Sequence, residues 1–340
     1  MKQSPPMVVD YWVTTYLSRL PKDRPLVMVD GTVPGWQAGS LDLHFDHHRL
    51  GGMAIQIDEI PHPQPLPNHF YMVTTVVDAD ACSAAAWLQL DPEWLTPEVI
   101  HRLRAIAWDC DHLLVPTDLQ DYSQFAFKAV AAMKLSADGI IGELGLPLNR
   151  KAWTQEQRER WAALAFQRGT EWLMDAARGE CPWPGALGEA DHYWQIILSD
   201  AHDLLTQNRI SLYPTAIGAV AVCDSRGWGH GLDPRSFYRA LSQISPSIVL
   251  RPETITIREH HLGGNQYTLG VIPLHPEWGN LDYTLHTYGE LTHQERLISN
   301  EAGAWGGGEP WVVLGGIIHL TWNRRILWQY LVKEMWRDEW

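Results

Sequence analysis

The stretch FYMVTTVVDADACSAAAWLQL, residues 70–90, changes character half-way along its length. Its first part is a run of β-branched and aromatic residues, which is typical of a buried strand, and it ends at Asp78 and Asp80. The second part, ACSAAAWLQL, is rich in small residues that suit a helix packed closely on a sheet. A strand followed directly by a helix predicts an α/β fold with parallel strands.

The rest of the first half repeats this alternation. Residues 25–30, PLVMVD, predict a second buried strand that ends at Asp30. Apolar residues at helical spacing predict helices over residues 97–108, 154–178 and 189–208. Strands that alternate with helices indicate a mostly parallel sheet with helices on both faces.

A second α/β pattern follows in the C-terminal part. Residues 215–225 are strand-like, residues 234–244 are helical in period, and two further strand-like runs come after them. We therefore predict two domains, residues 1–207 and a smaller α/β domain over residues 208–340.

The charge balance limits the partners. The chain has 26 Lys and Arg against 40 Asp and Glu, a formal net charge of −14, which disfavours binding to duplex nucleic acid. No apolar run reaches the roughly 18 residues that a membrane span needs. The four cysteines show no Cys-x-x-Cys spacing. We expect a cytoplasmic protein that binds neither membranes nor duplexes. A negative chain can still bind a small phosphorylated ligand, provided that metal ions neutralise its carboxylates locally.

Acidic residues and histidines gather at three places in the first half. Because parallel strands present their carboxyl ends at one edge of a sheet, the carboxylates that end the two predicted strands are expected to converge. HFDHHRLGG, residues 44–52, and WDCDH, residues 108–112, add further candidates. The full pool is Asp30, Asp46, His47, His48, Asp78, Asp80, Asp109, Asp111 and His112.

This pool contains carboxylates and imidazoles without a cysteine, which favours Mn²⁺, with Mg²⁺ or Co²⁺ as alternatives. Two such ions would activate a water and clamp the oxygens of a phosphoryl group. Each acid also has a simpler explanation. Asp78 and Asp80 can cap a helix, Asp30-Gly31 can be a turn, and Asp109 and Asp111 can be solvated.

The triplet Asp46-His47-His48 resembles the signature of the DHH phosphoesterase superfamily, and Asp78-Ala79-Asp80 is similar to the family's Asp-x-Asp. The resemblance implies a divalent-metal phosphoesterase in which Asp46 and His48 are catalytic and His48 lies towards the substrate. The metal ligands that it implies are Asp30, His47, Asp78, Asp80 and one of Asp109 and Asp111.

Two features differ from the family pattern. The Asp-x-Asp follows the DHH triplet instead of preceding it, so the motif order is permuted. Thr74 stands where the family commonly has a histidine, four residues before Asp78. The residues that could replace that histidine are His44, His69 and His112.

The family resemblance also implies a C-terminal domain that closes over the metal site and contacts the substrate through glycines. Gly306, Gly307 and Gly308 are the candidates for that loop, since consecutive glycines can present backbone N–H groups to an anion. The expected activity is hydrolysis of a small phosphate ester, a nucleotide or a short oligonucleotide. The alternatives are a degenerate DHH-like protein that binds a nucleotide or partner, and a metal-dependent hydrolase of another bond.

Overall fold

The computed structural model describes most of the N-terminal two thirds of the chain and separate elements beyond it. The described residues are 7–46, 57, 60–112, 115–180, 187–214, 219–224, 232–244, 255–260, 266–271 and 316–319. The chain divides into two compact units, residues 1–110 with 115–191, and residues 111–114 with 192–340. The predicted division after residue 207 stays a prediction.

The first unit is built on four parallel strands. They are β1 (Val8–Val13), β2 (Leu26–Val29), β3 (Leu43–Phe45) and β4 (His69–Thr74), in the spatial order β1-β4-β2-β3. Every neighbouring pair is parallel, so all four carboxyl ends lie at one edge of the sheet. The predicted α/β class with a parallel sheet is confirmed.

Four helices belong to the same unit. They are α1 (Ala79–Gln89), α2 (Pro97–His112), α3 (Ser123–Glu143) and α4 (Gln155–Arg178). A capping box at Thr154 begins α4, and Gly179 in the left-handed conformation ends it. Helix α1 packs against α3, α4 and β2, and α4 packs against β1.

The two faces of the sheet are covered differently. Tyr11 of β1 contacts Phe166 of α4 edge to face, with ring centroids 5.2 Å apart. Alternate residues of the same strands point the other way, where Met28 and Val73 pack with Leu20 of a connecting segment. Helices α1 and α4 therefore cover one face, and connecting segments contribute to the other. A helical layer on both faces stays a prediction.

The second unit contains the C-terminal part of α5 (Leu187–Thr206), helix α6 (Pro234–Ile244) and a five-stranded sheet. The strands are β5 (Ile210–Pro214), β6 (Ala219–Asp224), β7 (Ile255–His260), β8 (Gln266–Val271) and β9 (Gly316–His319), paired in that order. Only β6 and β7 run parallel in this sheet. Its core includes the fully buried Phe237 and Leu241 of α6.

None of the described helices is both long and apolar enough to cross a membrane.

Candidate functional site

Asp30 follows β2 directly, and its backbone is fixed from two sides. Its N–H donates to the carbonyl of Phe45, 2.9 Å away, and its own carbonyl accepts from the Thr74 hydroxyl, 3.1 Å away. Its φ of 47° lies in the left-handed region, which is uncommon for a residue with a side chain. The ends of β3 and β4 therefore hold Asp30 in an unusual conformation, with 7% of the residue exposed.

Gly31 allows this turn because no other residue fits. Its φ is 130°, and a Cβ at this position would lie 2.2 Å from Oγ1 of Thr75. A side chain would therefore collide with the segment that follows β4. Because Gly31 lies so close to Thr75, the turn after β2 approaches the segment that follows β4.

Asp46 follows β3 and is 2% exposed. The Thr32 hydroxyl donates a hydrogen bond to its Oδ2. His44 Nε2 lies 2.9 Å from the same hydroxyl and 3.8 Å from Asp46 Oδ2. Because the single hydroxyl proton goes to Asp46, we infer that His44 Nε2 carries the proton that it shares with Thr32. The His44–Thr32–Asp46 chain thus orients a buried carboxyl.

Asp78 and Asp80 lie at the start of α1. Asp78 is the N-cap, and its Oδ1 accepts from the Ala81 N–H at 2.9 Å, so the capping explanation is correct for this residue. Asp78 also shares a side-chain hydrogen bond with Asp30 and feels the charge of Asp80. Asp78 therefore caps α1 and also belongs to a cluster of acidic residues.

Burial first, and then the negative charges of Asp30 and Asp80, raises the pKa of Asp78 well above its usual value. A carboxyl in this position holds a proton more tightly than an exposed aspartate. A cation near these oxygens would reverse that effect, since an opposite charge favours the ionised form.

Three of the predicted acids face one small cavity. It holds about 20 Å³ and is lined by Asp30, Asp46 and Asp80 together with four apolar residues, Phe45, Ile57, Ile60 and Ala84. This volume suits one water molecule or one ion and excludes a phosphate ester. The acids that follow β2 and β3 and the acid in the first turn of α1 therefore line one space that suits a single small species.

The other predicted residues lie elsewhere or outside the described ranges. Asp109 is buried within α2 and is not among the described residues that line the cavity. Asp111 lies in the last turn of α2, and its side chain falls outside the described part. The remaining predicted site residues, His47, His48, Gly306, Gly307 and Gly308, lie outside the described residues.

Of the three histidines considered as replacements at the Thr74 position, two have described side chains. His44 belongs to β3 and reaches the Asp46 carboxyl. His69 is the first residue of β4 and lies near Asp10 and Arg24, at the amino end of the strand. Only His44 of these two therefore lies at the carboxyl edge.

Within the described ranges, no three His, Cys, Asp or Glu side chains are grouped as ligands of one metal ion. Among the described residues, the acids of the cavity thus line one space without meeting as a group of three ligands.

Comparisons with known proteins give no relatives for this chain. No protein-family model matches it, and neither a curated protein nor a solved structure is significantly similar.

Two residues of the site were missed by sequence reasoning. Thr32 orients Asp46, and Thr74 ties β4 to Asp30. The signal for Thr32 was its place two residues after a strand-end aspartate, where a hydroxyl can reach the neighbouring strand end. Thr74 was noticed only as a departure from the family pattern, although its hydroxyl has a structural role.

Proposed function

We propose that this chain is a metal-dependent phosphoesterase that hydrolyses a small phosphate ester, a nucleotide or a short oligonucleotide. One observation carries the proposal: Asp30 and Asp46, which directly follow β2 and β3, and Asp80, in the first turn of the helix after β4, line one cavity. Ligand sites in parallel sheets lie outside the carboxyl ends of the strands, which is where this cavity lies.

The chemistry of the donors fits a hard divalent cation. The cavity presents carboxylate oxygens, and Asp78 adds a fourth carboxyl whose charge is costly without a counter-ion. We propose Mn²⁺ as the cofactor, two ions being expected from the resemblance, with Mg²⁺ or Co²⁺ as alternatives. Asp30, His47, Asp78, Asp80 and one of Asp109 and Asp111 remain the proposed ligands. When bound, the metal would polarise the phosphoryl group and activate water.

The chain's own residues have separate tasks in this proposal. Thr32 and His44 hold the Asp46 carboxyl in one orientation, so that it can take a proton or fix a ligand without first reorganising. Gly31 keeps Asp30 close to the segment after β4. His48 is proposed to lie towards the substrate and assist the leaving group.

We also propose that the second unit is a smaller C-terminal domain with a substrate role, as the sequence predicts, and that Gly306, Gly307 and Gly308 contact the substrate there. The described strands β5 to β9 support a separate sheet in that part of the chain.

A second candidate function is a DHH-like protein that has lost catalysis and binds a nucleotide or a partner. The permuted motif order and Thr74 in the place of the family histidine favour it. The two candidates differ in what they expect of metal: the phosphoesterase needs it for turnover, whereas the binding protein does not.

The test is metal content together with hydrolysis. We expect purified protein to bind about two equivalents of Mn²⁺ and to hydrolyse bis-p-nitrophenyl phosphate only when Mn²⁺ is present. Asp80→Asn should weaken Mn²⁺ binding, while Asp91→Asn, which alters an exposed aspartate that caps a short 3₁₀ helix, should not. Protein that binds no metal and shows no turnover after Mn²⁺ loading would favour the binding function.

A further inference from the structure

We propose that a cleft at the carboxyl ends of β1 and β4 is a second ligand site, separate from the acidic cluster, and that it binds a short aliphatic monocarboxylate. The cleft lies wholly within the first unit and holds about 380 Å³. This volume lies within the range of roughly 300 to 1,000 Å³ that is usual for pockets of small organic ligands. Such a site goes beyond the proposed function and would exist whether or not the chain hydrolyses phosphate esters.

The path of the chain opens this cleft. β1 and β4 are neighbours in the sheet, but the segments that follow them lead to opposite faces. The segment after β1 contributes Leu20, which packs on the face of Met28 and Val73. The segment after β4 leads into α1, on the face that α4 covers. Where the connections of neighbouring parallel strands part in this way, a crevice is left outside their carboxyl ends, and ligands bind in such crevices.

One arginine of the cleft is available to an anion. Arg158 of α4 lines the cleft, is exposed, and forms no hydrogen bond or ion pair with any residue in the described part of the chain. An anion in the cleft would therefore not have to displace a described carboxylate from this guanidinium. Because a guanidinium can bind both oxygens of a carboxylate through two parallel N–H groups, Arg158 suits a planar carboxylate.

The second arginine of the cleft is already engaged. Arg150 pairs with Asp138 at 2.6 Å. Its guanidinium carbon also lies over the rings of Trp153 and Trp161, 5.7 and 4.6 Å from their centroids. Arg150 therefore covers these rings and adds no uncompensated charge. With one free cation in the described lining, the cleft favours a ligand with a single negative charge over a phosphate dianion.

The acid of the described lining, Glu159, is engaged as well. Its Oε2 pairs with Arg19 at 2.5 Å. Its Oε1 accepts hydrogen bonds from the Thr14 hydroxyl and from Gln155 Nε2, each at 3.1 Å. An ammonium group on the ligand would have to compete with these three donors. The cleft therefore favours a carboxylate without a positive charge over a free amino acid.

Apolar side chains from both strand ends and from α4 complete the part of the lining that concerns the ligand. They are Val13, Val76, Val77 and Ala162. Val76 is 58% exposed, so a ligand that covers it removes apolar surface from water. An aliphatic chain on the carboxylate would gain this contact, whereas an inorganic anion would not.

The test is titration calorimetry of the full chain with isocaproate, a branched aliphatic monocarboxylate. EDTA is present throughout, so that no metal ion can bind the probe. Isocaproamide lacks the charge, acetate lacks the aliphatic chain, and leucine adds an ammonium group. We expect isocaproate to bind more tightly than all three.

Variants locate the binding. Arg158→Ala should weaken isocaproate binding at least about tenfold, since a charge-assisted contact is lost. Arg158→Lys should also weaken it, because an ammonium cannot form the two parallel bonds. Ala162→Leu should weaken it by filling the cleft, and leucine is tolerated in a helix. Arg160→Ala is the matched control, because Arg160 is exposed on the same helix and does not line the cleft.

The inference would be overturned if isocaproate did not bind at tens of millimolar, or if folded Arg158→Ala or Ala162→Leu bound it as tightly as wild type. Isocaproamide, acetate or leucine binding as tightly as isocaproate would contradict the proposed ligand class. Metal-dependent hydrolysis is a separate measurement, so its absence would remove the phosphoesterase and leave this site, and its presence without isocaproate binding would do the reverse.

Discussion

Asp78 shares a hydrogen bond with Asp30 across the carboxyl ends of β4 and β2. Two carboxyl groups can form such a bond only when one of them is protonated, and burial with the charges of Asp30 and Asp80 raises the pKa of Asp78. The metal-free site therefore holds a proton more tightly than an exposed aspartate would, at the place where the proposed function needs a cation. This competition between proton and metal ion gives the site properties that can be measured without knowing the substrate.

Asp78→Asn should separate stability from metal binding. Asparagine keeps an oxygen that can accept from the Ala81 N–H, so the cap on α1 survives, while the charge repulsion among Asp30, Asp78 and Asp80 falls. We expect the unfolding midpoint in EDTA to rise by about 2 °C or more, and Mn²⁺ to lose its stabilising effect. Thermal unfolding with and without Mn²⁺ measures both. A variant that is still stabilised by Mn²⁺ as strongly as wild type would place the metal elsewhere.

The stability of the metal-free protein should depend on pH through Asp78. The pKa of Asp78 is raised in the folded state. Between about pH 4 and that raised pKa, the folded protein therefore binds more protons than the unfolded one. The stabilising contribution of this group is complete below about pH 4 and is lost as the pH rises through this window. The difference in unfolding free energy between Asp78→Asn and wild type should therefore grow with pH in EDTA. Denaturant titrations of both proteins at several pH values isolate this group. A difference in unfolding free energy that does not change with pH would contradict the raised pKa of Asp78.

Gly31→Ala should damage the site through the backbone. The new Cβ would meet Thr75 Oγ1 at 2.2 Å at a φ of 130°, and we expect a cost of about 2 kcal/mol or more. Gly139→Ala is the control, since that glycine lies within α3 with nothing near its Cβ position, and alanine there should stabilise the helix by up to about 1 kcal/mol. Equilibrium unfolding compares the two. Similar effects at both positions would show that the turn after Asp30 tolerates a side chain.

Thr32→Val should act on Asp46 without changing side-chain size. Removing the hydroxyl takes one donor from a carboxyl that is 2% exposed, at a cost of about 1–3 kcal/mol. If Asp46 serves the metal site, Mn²⁺ affinity should also fall by about 10- to 100-fold, as is usual when a supporting hydrogen bond is lost. Thr32→Ser keeps the hydroxyl and should remain near wild type in a Mn²⁺ titration. Equal loss in both variants would contradict a role that depends on the hydroxyl.

The strands and helices with strong apolar patterns could be predicted from the sequence. Strand β2 and helix α1 form close to their predicted places. Strand β4 also forms, but it ends at Thr74, and the predicted strand end at Asp78 and Asp80 is wrong because these residues begin α1. Strand β3 could not be predicted, because its three residues, Leu43–Phe45, lie inside a polar stretch and are fixed by pairing with β2. Helix α3 was not predicted, although the structure places a helix of 21 residues over Ser123–Glu143.

The convergence of Asp30 and Asp80 could be predicted because parallel strands fix where their carboxyl ends lie. Contacts that depend on side-chain rotamers and on the order of the strands could not be predicted from the sequence. The His44–Thr32–Asp46 chain requires β3 to lie beside β2, and the contact between Tyr11 and Phe166 requires α4 to pack on β1. Neither neighbour relation is encoded in a local pattern.

The most direct test of the central claim is the rate of bis-p-nitrophenyl phosphate hydrolysis by EDTA-stripped protein as Mn²⁺ is added back, measured for wild type and Asp30→Asn. We predict that activity returns with Mn²⁺ in wild type and falls at least about 100-fold in Asp30→Asn, with both proteins folded. Equal activity in the two proteins, or activity in wild type that is indifferent to EDTA and Mn²⁺, would contradict the claim that these carboxyl groups form a metal-dependent phosphoesterase site.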